Sequence, residues 1–245
     1  MESTTIEKMK KMYLRGMAAT YHEDIQTGSI PNYTTSEYLS TLVDAEWENR
    51  QNRKIRNLKR AAKFRAPGAL PTNIDYTTPR GLDREVINRL FELKFIKTSE
   101  NIIITGSTGT GKSYLAQALG NKACEMLNRV LYFTMSQFTE EIQAMEIQGT
   151  LHKWITKLKK ANLLILDDFG ITGIDAQTRK ILMEVIDYKY EKSSLIISSQ
   201  IPVSAWHELI GEQTIADAIL DRIVYNSHRI ELQGESMRRK KKIVA

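Results

Sequence analysis

The sequence contains one cysteine, five prolines and four histidines among 245 residues, and it has no long apolar run. The single Cys124 excludes an intramolecular disulfide, and the helical pattern around it favours a small buried side chain. The histidines are scattered, so their spacing predicts no metal site. No apolar stretch approaches the roughly 20 residues of a membrane span, and the first residues lack the apolar core of a signal peptide. These absences favour a protein of the bacterial cytoplasm that does not contact membranes.

Positive charge is concentrated in a few segments. The net charge is +6 and the pI is about 9.2. The run from Arg50 to Arg65 contains no acidic residue, and residues 238–242 are all basic. Such runs are typical of nucleic-acid-binding surfaces, although a solvated helix face has the same composition. The predicted DNA-binding residues are Arg53, Lys54, Arg56, Lys59, Arg60 and Lys63, with Lys153 and Lys157 from a later basic helix.

The pattern of apolar residues and prolines predicts two domains. Residues 1–66 read as amphipathic helices, and their apolar stripes are typical of a small helical core. Three of the five prolines fall between Pro67 and Pro79, which is typical of a boundary. We therefore predict a helical domain at 1–66, a linker at 67–80 and a second domain at 81–245. Just before the next strand, Phe95 and Ile96 could line an adenine, but packing is the simpler interpretation.

A phosphate-binding loop follows the strand that includes Ile102 to Ile104. The loop has the pattern G-x-x-x-x-G-K-S, and a helical pattern follows it. Its glycines let successive N–H groups face a phosphate, and the helix directs its positive end at the same anion. Lys112 can reach the β- and γ-phosphates, and the Ser113 hydroxyl can ligate Mg²⁺. The predicted ATP-binding residues are Gly106, Ser107, Thr108, Gly109, Thr110, Gly111, Lys112, Ser113 and Tyr114.

A second motif is the apolar run of residues 163–166, which ends in Asp167 and Asp168. A strand buried on both faces is apolar until it emerges at its carboxyl end, where open α/β sheets bind ligands. Asp167 is predicted to hold Mg²⁺ together with Ser113, and Asp168 to orient the attacking water. A strand that simply ends in a polar turn would have the same pattern.

Polar residues also end a later strand, and an arginine follows on a late helix. Ser199 and Gln200 follow the apolar residues 195–197, and either side chain could touch a γ-phosphate. Arg222 follows Asp221 in a helix predicted over residues 214–225, and the residues alone favour an ordinary surface ion pair there.

Taken together, these motifs resemble a known family. The segments GSTGTGKSYLAQALG, LLILDDFG, ISSQIPVSAWHE, DAILDRIVYNSHRIEL, GESMRRKKK and RNLKRAAKFRAPG resemble the AAA+ ATPases of the initiator and helicase-loader branch. They are most similar to IstB-like transposition helper ATPases, which are relatives of DnaC. The resemblance implies an α/β fold with a five-stranded parallel sheet, order 5-1-4-3-2, preceded by a small all-helical domain. The usual C-terminal AAA+ lid is expected to be missing, since the chain ends at 245.

The resemblance also assigns roles to single residues. It implies that Arg222 is an arginine finger for ATP in a neighbouring subunit, and that Gln200 is the polar sensor, with Ser199 as the competing choice. Arg238 or Arg239 is the candidate second sensor. Asp168 stands where many AAA+ ATPases have glutamate, so slow turnover is expected. The predicted catalytic residues are Lys112, Asp168, Gln200 and Arg222.

The implied function is that of an ATPase using ATP and Mg²⁺. It would self-assemble on duplex DNA, select or remodel a target site, and recruit or activate a transposase. The alternative is a DnaC-like helicase loader that acts on single-stranded DNA and a helicase partner. A small-molecule P-loop kinase would need a substrate pocket and an arginine-rich lid, and the sequence indicates neither.

Overall fold

The computed structural model describes residues 2–171 and 173–237. The chain divides into two compact units, with the division between Asn57 and Leu58. The domain limits of 1–66, 67–80 and 81–245 stay a prediction. In the described structure, residues 67–80 belong to the second unit, where Ala69 and Ile74 are buried in its core.

The first unit is built from helices α1 (Glu2–Lys11) and α2 (Arg15–Thr27) and from α3 (Thr35–Ala62) as far as Asn57, and the last residues of α3 belong to the second unit. Gly16, in the first turn of α2, lies against α3, because a Cβ at this position would collide with the Ala45 carbonyl oxygen. The buried Glu46 of α3 accepts hydrogen bonds from the Gly16 N–H and from Arg50 Nε, both at 2.7 Å. Burial alone would raise the pKa of Glu46, but these hydrogen bonds hold it below its ordinary value. A carboxylate therefore neutralises the positive end of α2.

The second unit contains a five-stranded parallel sheet. Its strands are β1 (Asn101–Gly106), β2 (Val130–Thr134), β3 (Leu163–Phe169), β4 (Ser194–Ser199) and β5 (Ser227–Leu232). They lie in the order β2-β3-β4-β1-β5, which confirms the predicted order 5-1-4-3-2. Every pairing is parallel, so the five carboxyl ends lie along one edge of the sheet.

Helices cover both faces of this sheet. Its helices are α4 (Arg84–Phe91), α5 (Lys94–Lys97), α6 (Lys112–Glu125), α7 (Met135–Ile147), α8 (Leu151–Lys159), α9 (Ala176–Lys189), α10 (Trp206–Ile210) and α11 (Gln213–Val224). Successive strand residues point to opposite faces. Ile103 accordingly belongs to the core on the α7–α11 side, whereas Ile102 and Ile104 belong to the core with α4 and α6. Phe95 and Ile96 pack in this second core.

Candidate nucleotide-binding site

The loop between β1 and α6 has a backbone that requires glycine. Gly106, Gly109 and Gly111 have φ angles of +141°, +85° and +102°, which side chains of L-residues rarely adopt. A side chain is also excluded sterically at Gly106, because a Cβ there would collide with the Leu232 carbonyl oxygen. Within the loop, Thr110 Oγ1 donates to the Ser107 carbonyl at 2.9 Å. The sequence pattern thus forms a tight turn directly before the positive end of a 14-residue helix.

Lys112 and Tyr114 lie in the first turn of α6. The Lys112 side chain is largely buried, and its Nζ donates to the Ser107 carbonyl at 2.8 Å. This contact keeps the ammonium group within the loop, where it can bind an anion. The Tyr114 hydroxyl accepts a hydrogen bond from the Leu70 N–H at 3.4 Å. The hydroxyl of Tyr114 therefore contacts the segment before α4.

Asp167 is at the centre of a hydrogen-bond cluster at the carboxyl edge of the sheet. Its Oδ1 accepts from Ser113 Oγ at 3.0 Å and also from Ser198 Oγ. Its Oδ2 accepts from the Tyr132 hydroxyl at 2.7 Å. Burial and the nearby Asp167 charge raise the pKa of Tyr132 well above its usual range, so this phenol stays a donor. Sequence reasoning placed Asp167 beside Ser113 but missed Tyr132 and Ser198, which come from the strands on either side of β3.

Asp168 occupies a bulge in β3. Its φ is +57°, and the pairing of β3 with β4 shifts register between Leu166 and Phe169. This bulge lets two successive aspartates differ in exposure: Asp167 is buried, whereas the Asp168 side chain is 31% exposed. Arg65 Nη1 lies 3.8 Å from Asp168 Oδ2. Sequence reasoning missed this arginine as a site residue.

The two sensor candidates have different surroundings. Ser199 is fully buried, and its Oγ donates to the Phe169 carbonyl at 2.6 Å. Gln200 is exposed, and its Oε1 accepts from Thr108 Oγ1 of the phosphate loop at 2.6 Å. Only the amide of Gln200 is therefore in contact with the loop. The alternative second sensors, Arg238 and Arg239, lie outside the described residues.

A buried arginine that was not predicted braces the phosphate loop. Arg80 Nη1 donates to the Thr110 carbonyl, and Nη2 donates to the Asp75 carbonyl, both at 2.7 Å. Its Nε is a buried donor without a hydrogen-bond partner in the described part of the chain. A Cβ on Gly111 would collide with Nη1, which is a second reason for glycine there. Burial lowers the pKa of Arg80, but the group remains a cation at neutral pH.

Arg222 lies at the opposite edge of the sheet. Its carbonyl accepts from Asn101 Nδ2 at 3.2 Å, and Asn101 begins β1, whereas Gly106 ends it. At about 3.3 Å per residue, the length of β1 places these edges roughly 17 Å apart. The guanidinium pairs with Asp187 Oδ1 at 2.8 Å, and the Arg222 side chain is 28% exposed. The fold therefore holds Arg222 away from the phosphate loop of its own chain.

The predicted DNA-binding residues are distributed over α3, the segment after it, and α8. Lys59 Nζ pairs with Glu125, and Lys63 Nζ pairs with Glu141, each at 3.0 Å. The side chains with a large exposed fraction are Arg53, Lys54, Arg56, Arg60, Lys63, Lys153 and Lys157. On α8, Lys153 and Lys157 are exposed, whereas Trp154 and Leu158 are buried. Among the predicted lysines, Lys59 and Lys63 thus have carboxylate partners that a phosphate would have to replace.

In the described residues, no group of three or more histidine, cysteine or acidic side chains is arranged to hold a metal ion. A P-loop magnesium site does not need such a group, because Mg²⁺ retains waters and takes ligands from the phosphates. The Ser113 hydroxyl and the Asp167 carboxylate are oxygen ligands of the required type, 3.0 Å apart. No helix in the described ranges is long and apolar enough to cross a membrane.

Comparison with known proteins connects this site to a family. Residues 7–245 match the family described as IstB-like ATP-binding proteins. An insertion sequence ATP-binding protein of Sinorhizobium fredii is 42% identical over 235 residues, covering 96% of each chain.

Solved structures agree on the fold. The crystal structure of DnaI superimposes with a TM-score of 0.57 at 22% identity, covering 72% of this chain and 93% of that one. The DnaC helicase loader gives a TM-score of 0.53 at 18% identity, covering 67% and 98%. The fold is that of the P-loop AAA+ proteins, and the protein is an ATPase. The chain belongs to the family of IstB-like ATP-binding proteins.

Proposed function

We propose that this chain is the ATPase of a transposition system, and that it assembles on duplex DNA with ATP at its subunit interfaces. The names of its relatives as insertion sequence proteins support the link to transposition. The position of Arg222 supports the interfaces, because a guanidinium at the far edge of the sheet can serve only a phosphate from another subunit. The exposed basic residues of α3 and α8 support DNA as the surface for assembly.

In this proposal, each site residue has a defined task. The loop amides and Lys112 hold the phosphates, and Ser113 and Asp167 hold Mg²⁺. Asp168 orients the attacking water, and Gln200 contacts the γ-phosphate from its position beside Thr108. Loss of the γ-phosphate contacts on hydrolysis weakens the interface. The assembled state selects or remodels the target DNA and recruits or activates the transposase.

The test is the particle mass in solution, measured with and without ATP–Mg²⁺ and with and without a duplex of about 50 base pairs. The proposal expects large assemblies only when both are present, and affinity for the duplex that falls steeply with salt. Arg222→Ala should lose hydrolysis by roughly 10³-fold, as expected when an arginine finger is removed. A single-subunit mass under all four conditions would contradict the proposal.

Asp187→Ala provides the matched control for Arg222. It removes the same ion pair as Arg222→Ala but leaves the guanidinium in place. If Arg222 acts on a neighbouring subunit, only Arg222→Ala should abolish hydrolysis. If Arg222 is simply one half of a surface pair, the two variants should behave alike.

One second candidate has support from the fold, namely a helicase loader acting on single-stranded DNA. Its support is the fold shared with the DnaC helicase loader. Competition between single-stranded and duplex DNA of equal length for the ATP-bound protein separates the two functions. Preference for duplex favours the transposition ATPase, whereas preference for the single strand favours the loader.

A further inference from the structure

Arg80 is held at both ends, its backbone by the sheet and its side chain by the phosphate loop. The Gln233 N–H, directly after β5, donates to the Arg80 carbonyl at 3.0 Å. The buried guanidinium spans two carbonyl oxygens, those of Thr110 and Asp75, each at 2.7 Å. Because the guanidinium is planar, its N–H groups point in fixed directions. A side chain from outside the phosphate loop therefore sets the position of the Thr110 carbonyl.

A compact turn fixes the other carbonyl that Arg80 contacts. The Asp75 carboxylate accepts hydrogen bonds from Thr78 Oγ1 at 2.6 Å, from Thr77 Oγ1 at 2.7 Å and from the Thr77 N–H at 2.8 Å. These donors, with the Thr78 hydroxyl foremost, hold the pKa of Asp75 well below its ordinary value, so the carboxylate stays an acceptor at neutral pH. The turn thus gives the guanidinium a defined anchor outside the loop.

The hold on the Thr110 carbonyl also directs the next amide of the loop. In a planar trans peptide, the C=O and the following N–H point in opposite directions, so the Gly111 N–H points away from Arg80. Within the described ranges, this N–H donates to no protein acceptor. It lies directly before α6, at the helix end that attracts anions. The N–H that Arg80 directs is therefore one of the amides available to a phosphate.

The Thr110–Gly111 peptide could turn over if it were not held. Gly111 has a φ of +102°, and glycine adopts positive and negative φ about equally readily. A turned peptide would present a carbonyl oxygen in place of the N–H, and the negative end of that dipole repels an anion. The loop sequence alone permits both orientations, and the hydrogen bond from Arg80 selects one.

We propose that Arg80 is a positioning residue for nucleotide binding, which keeps the Thr110–Gly111 peptide turned so that its N–H can bind the β-phosphate. The N–H groups of a phosphate loop hold the α- and β-phosphates. A hydrogen bond from a cation is about twice as strong as one between neutral groups, and it polarises the peptide so that the N–H becomes a better donor. The inference concerns ATP binding by a single chain, so it does not depend on DNA or on assembly.

The test measures nucleotide affinity in the absence of DNA. A fluorescent ATP analogue is titrated in the presence of Mg²⁺ and is then displaced with ATP, ADP or AMP. The wild type is compared with Arg80→Met, Arg80→Lys and the control Arg84→Met. Arg84 belongs to the same segment, but it is exposed and stacks over Tyr76 at 5.5 Å from the ring centroid.

Arg80→Met should weaken the binding of ATP and ADP by about tenfold or more, as expected when a hydrogen bond from a charged donor is lost. AMP has no β-phosphate, so its affinity should change much less. Arg80→Lys keeps the charge but lacks the planar fork that spans two carbonyls, so it should resemble Arg80→Met. Arg84→Met should bind all three nucleotides like the wild type.

Asp75→Ala tests the anchor without altering Arg80 itself. It removes the acceptor that holds the turn together, so it should weaken ATP and ADP more than AMP, but by less than Arg80→Met does. The double variant Arg80→Met/Asp75→Ala should bind ATP no more weakly than Arg80→Met, because both substitutions act through the same contact. Urea unfolding identifies a variant that does not fold, and if that variant is Arg80→Met, Arg80→Lys and Asp75→Ala provide the same comparison.

Three results would overturn the inference. In the first, Arg80→Met binds ATP and ADP like the wild type. In the second, it loses affinity equally for ATP, ADP and AMP, as a general disruption of the site would cause. In the third, Arg80→Lys restores full affinity, which would assign the effect to charge alone. Failure of the proposed function is recognised separately, because a wild type that binds ATP but does not assemble on duplex contradicts that function and leaves the role of Arg80 intact.

Discussion

The hydroxyl of Tyr132 donates a hydrogen bond to Asp167 Oδ2 at 2.7 Å, across the pairing of β2 with β3. The tyrosine ring is buried, and its pKa is raised by burial and by the Asp167 charge. The phenol is therefore a permanent donor. It fixes one carboxylate oxygen, while the other faces Ser113 of the phosphate loop.

Tyr132→Phe should therefore destabilise the second unit. The ring and its packing on Phe64 are retained, but a buried carboxylate loses a donor, which costs about 1–3 kcal/mol. Urea unfolding measures the effect. The control is Tyr188→Phe, which changes a 43% exposed tyrosine and should lie within about 0.5 kcal/mol of the wild type. Equal stability of the two variants would mean that the Asp167 contact contributes nothing.

Substitution of Gln200 should lower kcat, whereas substitution of Ser199 should lower stability. Gln200→Ala removes an exposed amide held beside Thr108, so kcat should fall by roughly tenfold or more while stability is kept. Ser199→Ala removes the donor to the buried Phe169 carbonyl, so stability should fall by about 1–2 kcal/mol. Steady-state hydrolysis and urea unfolding are measured on both variants. A loss of kcat in Ser199→Ala without a loss of stability would instead identify Ser199 as the sensor.

Lys189 should make stability depend on pH in the alkaline range. Its side chain is fully buried, with Nζ donating to the Ala161 carbonyl and to Ser193 Oγ. Burial lowers its pKa from 10.5 to about 8. The native state therefore disfavours the protonated amine. The contribution of Lys189 is most favourable above pH 10.5 and is progressively lost as the pH falls to about 8.

The test compares the wild type with Lys189→Met by urea unfolding at several pH values. From pH 8 to 10.5, the wild type should gain up to about 3 kcal/mol relative to the variant, since one pKa unit corresponds to about 1.4 kcal/mol. Lys180→Met, at an exposed position of α9, is the control. A difference between wild type and Lys189→Met that stays constant across this range would rule out a shifted lysine.

Gly16→Ala should destabilise the helical unit. The added Cβ would lie 2.7 Å from Glu46 Cα and closer still to the Ala45 carbonyl oxygen, so backbone atoms of α3 would have to move. Overpacking of this kind costs about 1–3 kcal/mol. The measurement is urea unfolding followed by far-ultraviolet circular dichroism. Gly68→Ala is the control, because no atom beyond its chain neighbours lies within 4 Å of the added Cβ. A Gly16→Ala variant as stable as the wild type would contradict the tight approach.

Local motifs made much of the fold predictable. The strands β1 to β4 each contain a short apolar run, and the loop after β1 has a fixed spacing, so sequence alone indicates these elements. The family resemblance supplies the order of the strands. Tyr132, Ser198, Arg80 and Arg65 had no such signal. Each reaches the site from a different segment, through register or through a chain crossing that no periodicity encodes. The buried position of Arg80 in particular depends on a Thr110 carbonyl that becomes accessible only after the loop has folded.

In the proposed function, the distance between Arg222 and the phosphate loop of its own chain has a kinetic consequence. With the arginine acting on a neighbour, one complete active centre is made by two polypeptides, and the rate per molecule rises with protein concentration. Two variants that are each inactive could then hydrolyse ATP when they are mixed. A Lys112→Ala subunit would still lend its arginine to an Arg222→Ala subunit with an intact loop, so a mixture of the two inactive variants should hydrolyse ATP.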